Sequence, residues 1–118
     1  MKKKVFFIIY CLTYLFIQNN VFAEDKNFKK VYFAGGCFWC MEESFDKIDG
    51  VIKSISGYSG GTLKNPTYQD VIYKDTGHVE TVEITYDINK VSFEELLSIF
   101  WKNIDPFDQY GQFCDKGK

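Results

Sequence analysis

A pair of adjacent glycines constrains this chain more than any other feature. Lys30 to Ala34 is apolar and β-prone and stops at Gly35-Gly36. Immediately beyond, Phe38, Met41, Phe45 and Ile48 recur at steps of three and four, the period of a helix with one buried face. That helix should end before Asp49-Gly50, so the opening unit reads as strand, glycine turn, helix. The residue placed where the strand gives way to the helix is Cys37.

The rest of the chain is punctuated in the same way. Val51 to Tyr58 reads as a second strand, Ser59 to Pro66 as a surface loop rich in Gly and ending in Asn-Pro, and Thr67 to Tyr73 as a short helix. From Val79 to Tyr86 the residues alternate, with Glu80, Val82, Ile84 and Tyr86 on one face of a third strand. Glu80 is thus a carboxylate on an apolar face. Ser92 and Glu95 form a capping box ahead of Phe93, Leu96, Leu97, Phe100, Trp101 and Ile104, the apolar stripe of a helix that ends before Pro106. The polar segment from there to Lys118 carries no strand signal. This β-α-β-β-α order predicts an α+β, two-layer α/β sandwich with a ferredoxin-like (α-β plait) core and a mixed sheet, whose last strand is missing from the sequence.

The first 23 residues differ from the rest. Lys2, Lys3 and Lys4 precede a thirteen-residue apolar run, Val5 to Ile17, and then the small-residue site Val21-Phe22-Ala23. This is the pattern of a secretory signal peptide, too short for the ~20 apolar residues of a membrane span. Residues 1–23 are read as that leader and 24–118 as one domain, exported to the periplasm or secreted, with no membrane attachment after cleavage. Removal of the leader would leave 95 residues with eleven lysines against sixteen acids, a net charge of −5. The chain has no arginine, so bidentate phosphate recognition is absent and nucleic-acid binding is not expected. A monomer is expected.

Cys11 would leave with the leader, and Cys37, Cys40 and Cys114 remain. An odd number of cysteines in an oxidising compartment points to a redox role. Helix dipole and first-turn amides would stabilise a Cys37 thiolate. Three residues on, Cys40 falls on the same helical face, with Cα atoms about 5 Å apart, so it could capture a sulfenic acid on Cys37. The spacing also occurs in thioredoxin-like enzymes, zinc sites and haem attachment sites. Haem is excluded because Met41 follows Cys40, and zinc is disfavoured because only Cys114 and His78 are left as ligands.

Phe38 and Trp39 would give Cys37 an apolar aromatic wall suited to a small polarisable group such as a thioether methyl. Glu80, if desolvated on its strand face, would have a raised pKa and act as a proton donor. Tyr68 could add a phenol donor. His78 shares the parity of Glu80 but reads as a turn or packing residue rather than a base. Glu42 and Glu43 are expected to complement the N-terminus of the first helix.

These residues carry a resemblance. Gly35-Gly36-Cys37-Phe38-Trp39-Cys40-Met41-Glu42 resembles the active-site signature of the A-type peptide methionine sulfoxide reductases. The segments Gly57-Tyr58-Ser59-Gly60-Gly61, Asn65-Pro66-Thr67-Tyr68, Thr76-Gly77-His78-Val79-Glu80, Phe100-Trp101 and Asp105-Pro106 continue it in the family's order. The resemblance implies that Cys37 attacks the sulfoxide sulfur of the S epimer, Phe38 and Trp39 hold the S-methyl group, and Glu80 with Tyr68 protonates the oxygen. Cys40 is the implied resolving thiol, with Cys114 or a missing downstream cysteine as rivals. Asp115 matches a family aspartate that helps arrange the substrate site.

The resemblance further implies no metal or organic cofactor, a thioredoxin-like reductant as electron donor, and methionine sulfoxide, free or in proteins, as substrate. Family members continue past Gly117 into a segment that forms a further strand and supplies another tyrosine, so the sequence is expected to be truncated. A general thiol-disulfide oxidoreductase using Cys37 and Cys40 is one alternative, and an inactive truncated remnant is another.

Overall fold

The computed structural model describes residues 27–113 together with the backbone of residues 115–116. The leader expected at residues 1–23, Cys11 within it, and Cys114 lie outside the described residues. Eight elements follow in order: β1 (Phe28–Phe33), α1 (Phe38–Asp46), β2 (Val51–Ser59), α2 (Tyr68–Tyr73), β3 (Val79–Asp87), α3 (Phe93–Lys102), β4 (Gly111–Gln112) and β5 (Asp115–Lys116).

β1, β3 and β2 form one sheet in that spatial order. Val31 pairs with Ile84 across one ladder, and Ser56 with Val82 and Tyr58 with Glu80 across the other. Helix α1 therefore connects two parallel strands with β3 inserted between them, the split β-α-β unit of a ferredoxin-like sandwich. The expected architecture stands, but its pairing is corrected. Both ladders are antiparallel, because the two parallel strands never touch. A second correction lies after α3, where β4 and β5 pair as a short antiparallel hairpin in the segment read as strandless. Two residues per strand are too few for alternation to show.

The core fills the space between the sheet and the two longer helices. Val82, Ile84 and Tyr86 of β3 and Phe33 of β1 meet Phe38, Met41 and Phe45 of α1 and Leu96 of α3, all buried. Phe33 is the hinge of this packing, its ring 5.1 Å from that of Phe45 and 4.9 Å from that of Phe100. The α1 period predicted this face correctly. On α3 the apolar stripe is wider than the surface it covers: Leu96 is fully buried, whereas Phe93 and Trp101 on the stripe's flanks are exposed.

The two glycines after β1 are required for different reasons. Gly36 has φ +82°, in the left-handed region that side chains avoid. Gly35 has no such angle, but a Cβ there would lie 2.8 Å from Phe100 and 2.9 Å from Ile104, so its bareness lets α3 close over the end of β1.

Strand β2 is re-phased by a bulge. Val51 opposes Tyr86 and Lys53 opposes Thr85, which leaves Ile52 as the extra residue. The shift turns Ser54 and Ser56 toward α1, where their hydroxyls bond Asp46 and Glu42 respectively. Steps of two along the strand match steps of four along the helix, so a polar seam sets α1 in register on β2.

Candidate active site

Cys37 is the N-cap of α1, and its side chain makes no capping bond. Its carbonyl receives the first helical bond, from Met41 N–H at 3.2 Å. The next amide, Phe38 N–H, donates to Glu80 Oε2 at 2.9 Å. The carboxylate at the start of α1 is therefore Glu80, 42 positions away on β3. Glu42 and Glu43 do not play the expected part, since neither lies in the first turn: Glu42 accepts from Ser56 and Glu43 pairs with Lys47. Glu80 reaches the helix because the parity of β3 holds: Val82, Ile84 and Tyr86 point into the core, and half-buried Glu80 continues their row to the sheet's end.

Cys40 Sγ lies 3.1 Å from Cys37 Sγ, close enough for an S–H···S contact and compatible with a disulfide after a small movement. Cys37 is half-buried and Cys40 exposed. The geometry thus provides a sheltered thiol and an accessible one on the same turn.

Phe38 and Trp39 diverge. Phe38 is 5% exposed and Trp39 59%, so Phe38 belongs to the core while Trp39 faces outward. Tyr68, the first residue of α2, packs over both: its ring is 5.4 Å from Trp39 and 6.2 Å from Phe38. The sequence places Tyr68 there through a capping box, in which Thr67 accepts from Asp70 N–H and Asp70 accepts from Thr67 N–H.

Tyr58 was not among the sequence candidates. It opposes Glu80 across the β2–β3 ladder and packs on Phe38 with ring centroids 5.6 Å apart. Burial, then the charge on Glu80 and the neighbouring Tyr68, push its phenol above the ordinary range. Its place follows from the strand register together with Glu80, a signal available only once the bulge is known.

Cys37, Cys40, Trp39, Tyr68 and Glu80 line one cleft of ≈ 1030 Å³, with Gln112 and Phe113 on a wall supplied by the segment after α3. This is at the upper end of the ~300–1,000 Å³ usual for ligand sites, room for a side chain together with the peptide that carries it. Phe38 backs the cleft without lining it. Asp115 contributes backbone to β5, opposite Gln112, and its side chain lies outside the described residues. Gln112 is locked in turn, accepting from Asp105 N–H at 2.6 Å and donating to Asp105 C=O at 2.9 Å. Among the described residues no group of three or more His, Cys, Asp or Glu side chains is arranged to hold a metal ion.

A thiol at a helix start, a second thiol in contact, a carboxylic acid and a phenol around an aromatic-walled cleft can carry out nucleophilic attack by sulfur with proton delivery to a leaving group. Comparison with known proteins identifies a family. Residues 29–118 match the family described as peptide methionine sulfoxide reductase. The chain is 53% identical over 85 residues to the peptide methionine sulfoxide reductase MsrA of Leuconostoc mesenteroides, covering 72% of this chain and 50% of that protein. It is 52% identical over 93 residues to the MsrA of Halalkalibacterium halodurans, covering 79% of this chain and 53% of that one.

Among solved structures, methionine sulfoxide reductase A of Corynebacterium diphtheriae superimposes with a TM-score of 0.74 at 34% identity, over 80% of this chain and 44% of that one. Reduced Mxr1 from Saccharomyces cerevisiae gives 0.72 at 26% identity, over 84% and 59%. The chain spans about half the length of the curated relatives it matches. The family model spans residues 29–118, a range that includes the cleft, and with the identities to curated relatives it shows that the chain belongs to the peptide methionine sulfoxide reductase family.

Proposed function

We propose that the chain reduces the S epimer of methionine sulfoxide, in proteins and as the free amino acid, and so repairs oxidised proteins. Each sulfoxide epimer has its own enzyme. The Cys37 thiolate attacks the sulfoxide sulfur while Glu80, assisted by Tyr68, protonates the oxygen. The S–O bond breaks as an S–S bond to Cys37 forms, and the oxygen leaves as water. Water then attacks Cys37 Sγ, the S–S bond breaks with its electron pair on methionine, and Cys37 is left as a sulfenic acid, oxidised by the two electrons the substrate gained. Cys40 then attacks Cys37 Sγ, a disulfide forms and water leaves. A dithiol donor of the thioredoxin type returns the two electrons. Trp39, with Phe38 behind it, offers the S-methyl group an apolar face, and Asp115 is assigned to arranging the same site.

The observation that carries this reading is the meeting of Cys37 and Glu80 at one helix end, through the Phe38 N–H bond to Glu80 at 2.9 Å. It supports the reading by bringing a thiol and a carboxyl group to the same helix end. The leader at residues 1–23 supports export, with turnover in the periplasm or outside the cell and a donor in that compartment.

The test mixes the reduced chain, without added reductant, with separate S and R epimers of a sulfoxide peptide. Methionine from the S epimer alone, with a Cys37–Cys40 disulfide detected by mass, is the expected result. Equal reduction of both epimers, or none by a folded chain, would overturn it. The 3.1 Å contact between the two thiols also fits a general thiol-disulfide oxidoreductase. That alternative predicts reduction of insulin-type disulfides with sulfoxides left untouched.

A further inference from the structure

The loop between β2 and α2 is fastened to the segment that enters β3. Gly61 N–H donates to His78 Nδ1 at 3.2 Å, Thr62 N–H donates to the Thr76 carbonyl at 3.3 Å, and His78 Nε2 lies 2.9 Å from the Leu63 carbonyl. A carbonyl can only accept, so Nε2 carries the hydrogen. Nδ1 accepts from an amide, so it carries none. The two partners select the neutral Nε2–H tautomer. The loop backbone also lies against the ring: a Cβ on Gly61 would stand 2.3 Å from His78 Cδ2 and 2.5 Å from Thr76 O, so no other residue fits there.

The fastened stretch leads directly to the site. Past Leu63 the chain runs through Asn65 in the left-handed region, φ +51°, to Pro66, the Thr67 cap and Tyr68. Tyr68 meets the Trp39 ring at 5.4 Å. His78 itself lines the cleft two residues before Glu80. A single imidazole thus joins the strand that carries the proposed acid to the loop that carries the proposed phenol.

We propose that His78 is a positioning residue: by bridging Gly61 and Leu63 it holds Tyr68 against Trp39 over the cleft, without touching substrate. The assignment rests on the reductase reading, in which Tyr68 assists Glu80.

The sequence holds one histidine, so nitrogen-15 NMR of the full reduced chain reports this ring alone. The Nε2–H tautomer at neutral pH is expected. An Nδ1–H ring, or one averaging between tautomers, overturns the proposal without any variant. Proton NMR then follows the Trp39–Tyr68 ring contact. It should vanish in His78→Leu and return in His78→Gln, whose amide can accept at one end and donate at the other. A contact that persists in His78→Leu overturns the proposal.

Turnover adds a third readout. His78→Leu should slow reduction about tenfold in the wild-type background, the scale of a small misplacement of a reacting group. In a Tyr68→Phe background it should cost less than about twofold, because the effect passes through Tyr68. Additive losses overturn the proposal. If the wild-type chain turns over no sulfoxide, only the reductase reading fails, since tautomer and ring contact still decide the role of His78.

Discussion

Among the described residues three helices begin, in two different ways. At α2, Thr67 and Asp70 satisfy each other's backbone amides, and at α3 Ser92 and Glu95 do the same, so both starts are closed by residues three apart. At α1 the cap is Cys37, whose side chain makes no capping bond, and the first amide is taken by Glu80 from a distant strand. A helix start closed locally is a folding device. One left open keeps its amides and dipole for a side chain brought in by the tertiary fold, and here it also holds the proposed nucleophile.

The largest expected effects lie at the open start. Cys37→Ser should abolish methionine formation, whereas Cys40→Ser should still yield one methionine per chain and then stall at the sulfenic acid. Counting product against protein without reductant distinguishes them, and equal losses would mean that the two thiols have no separate roles. Next is Glu80. Glu80→Gln keeps an oxygen to accept from Phe38 N–H but has no proton to give, so reduction should fall by about 10²-fold or more with thermal stability nearly unchanged. Glu80→Ala should show the same loss of rate and in addition lose about 1 kcal/mol of stability, the worth of an N-cap bond. If Gln and Ala are equally stable, Glu80 does not cap α1.

The closed starts should show the opposite balance. Ser92→Ala should cost about 1 kcal/mol in denaturant unfolding and leave the rate constant of sulfoxide reduction as it was. A large change in rate would show that α3 is coupled to the site through Gly35 and Phe100, whose packing is tight enough to transmit a shift.

The smallest effect is that of pH on the boxes. Bonds from Ser92 backbone and side chain hold Glu95 below its ordinary range, and Lys74 and Thr67 do the same more strongly for Asp70. Folded values below the unfolded ones mean that this stability is present above the carboxylate range and is lost as pH falls through the depressed values. Glu95 is exposed and Asp70 half-buried, so the change should be modest. Melting temperature should fall below about pH 4, and less steeply in Ser92→Ala, where part of the dependence has been removed.

Local features of the fold were legible because they depend on neighbours in sequence. The α1 period marked Phe38, Met41 and Phe45, and all three are buried. The alternation of β3 put Glu80 in the row of Val82, Ile84 and Tyr86, and the capping box before α3 is present as written. The α3 stripe misled in one respect. Its period marks every residue that could be buried, but Phe93 and Trp101 stay exposed because among the described residues too little surface lies opposite them to cover the whole stripe. The site was legible as a set of residue types. Its geometry was not, and Tyr58 and the carboxylate that caps α1 were both missed.

What the sequence determined by itself is therefore short-ranged: where helices start, which face of a segment is apolar, and that Cys37 stands at a turn with Cys40 one helical step away. These follow from dihedral preference and periodicity, which act over three or four residues. Only the tertiary structure decided that β3 lies between β1 and β2, that the bulge at Ile52 turns Ser54 and Ser56 toward α1, and that Glu80 rather than Glu42 or Glu43 meets the helix start. It likewise decided that His78 takes its two bonds from the loop before Tyr68. Each of those choices depends on which distant segments share a ladder, and a shift of one residue in pairing would turn every side chain of the strand to the other face.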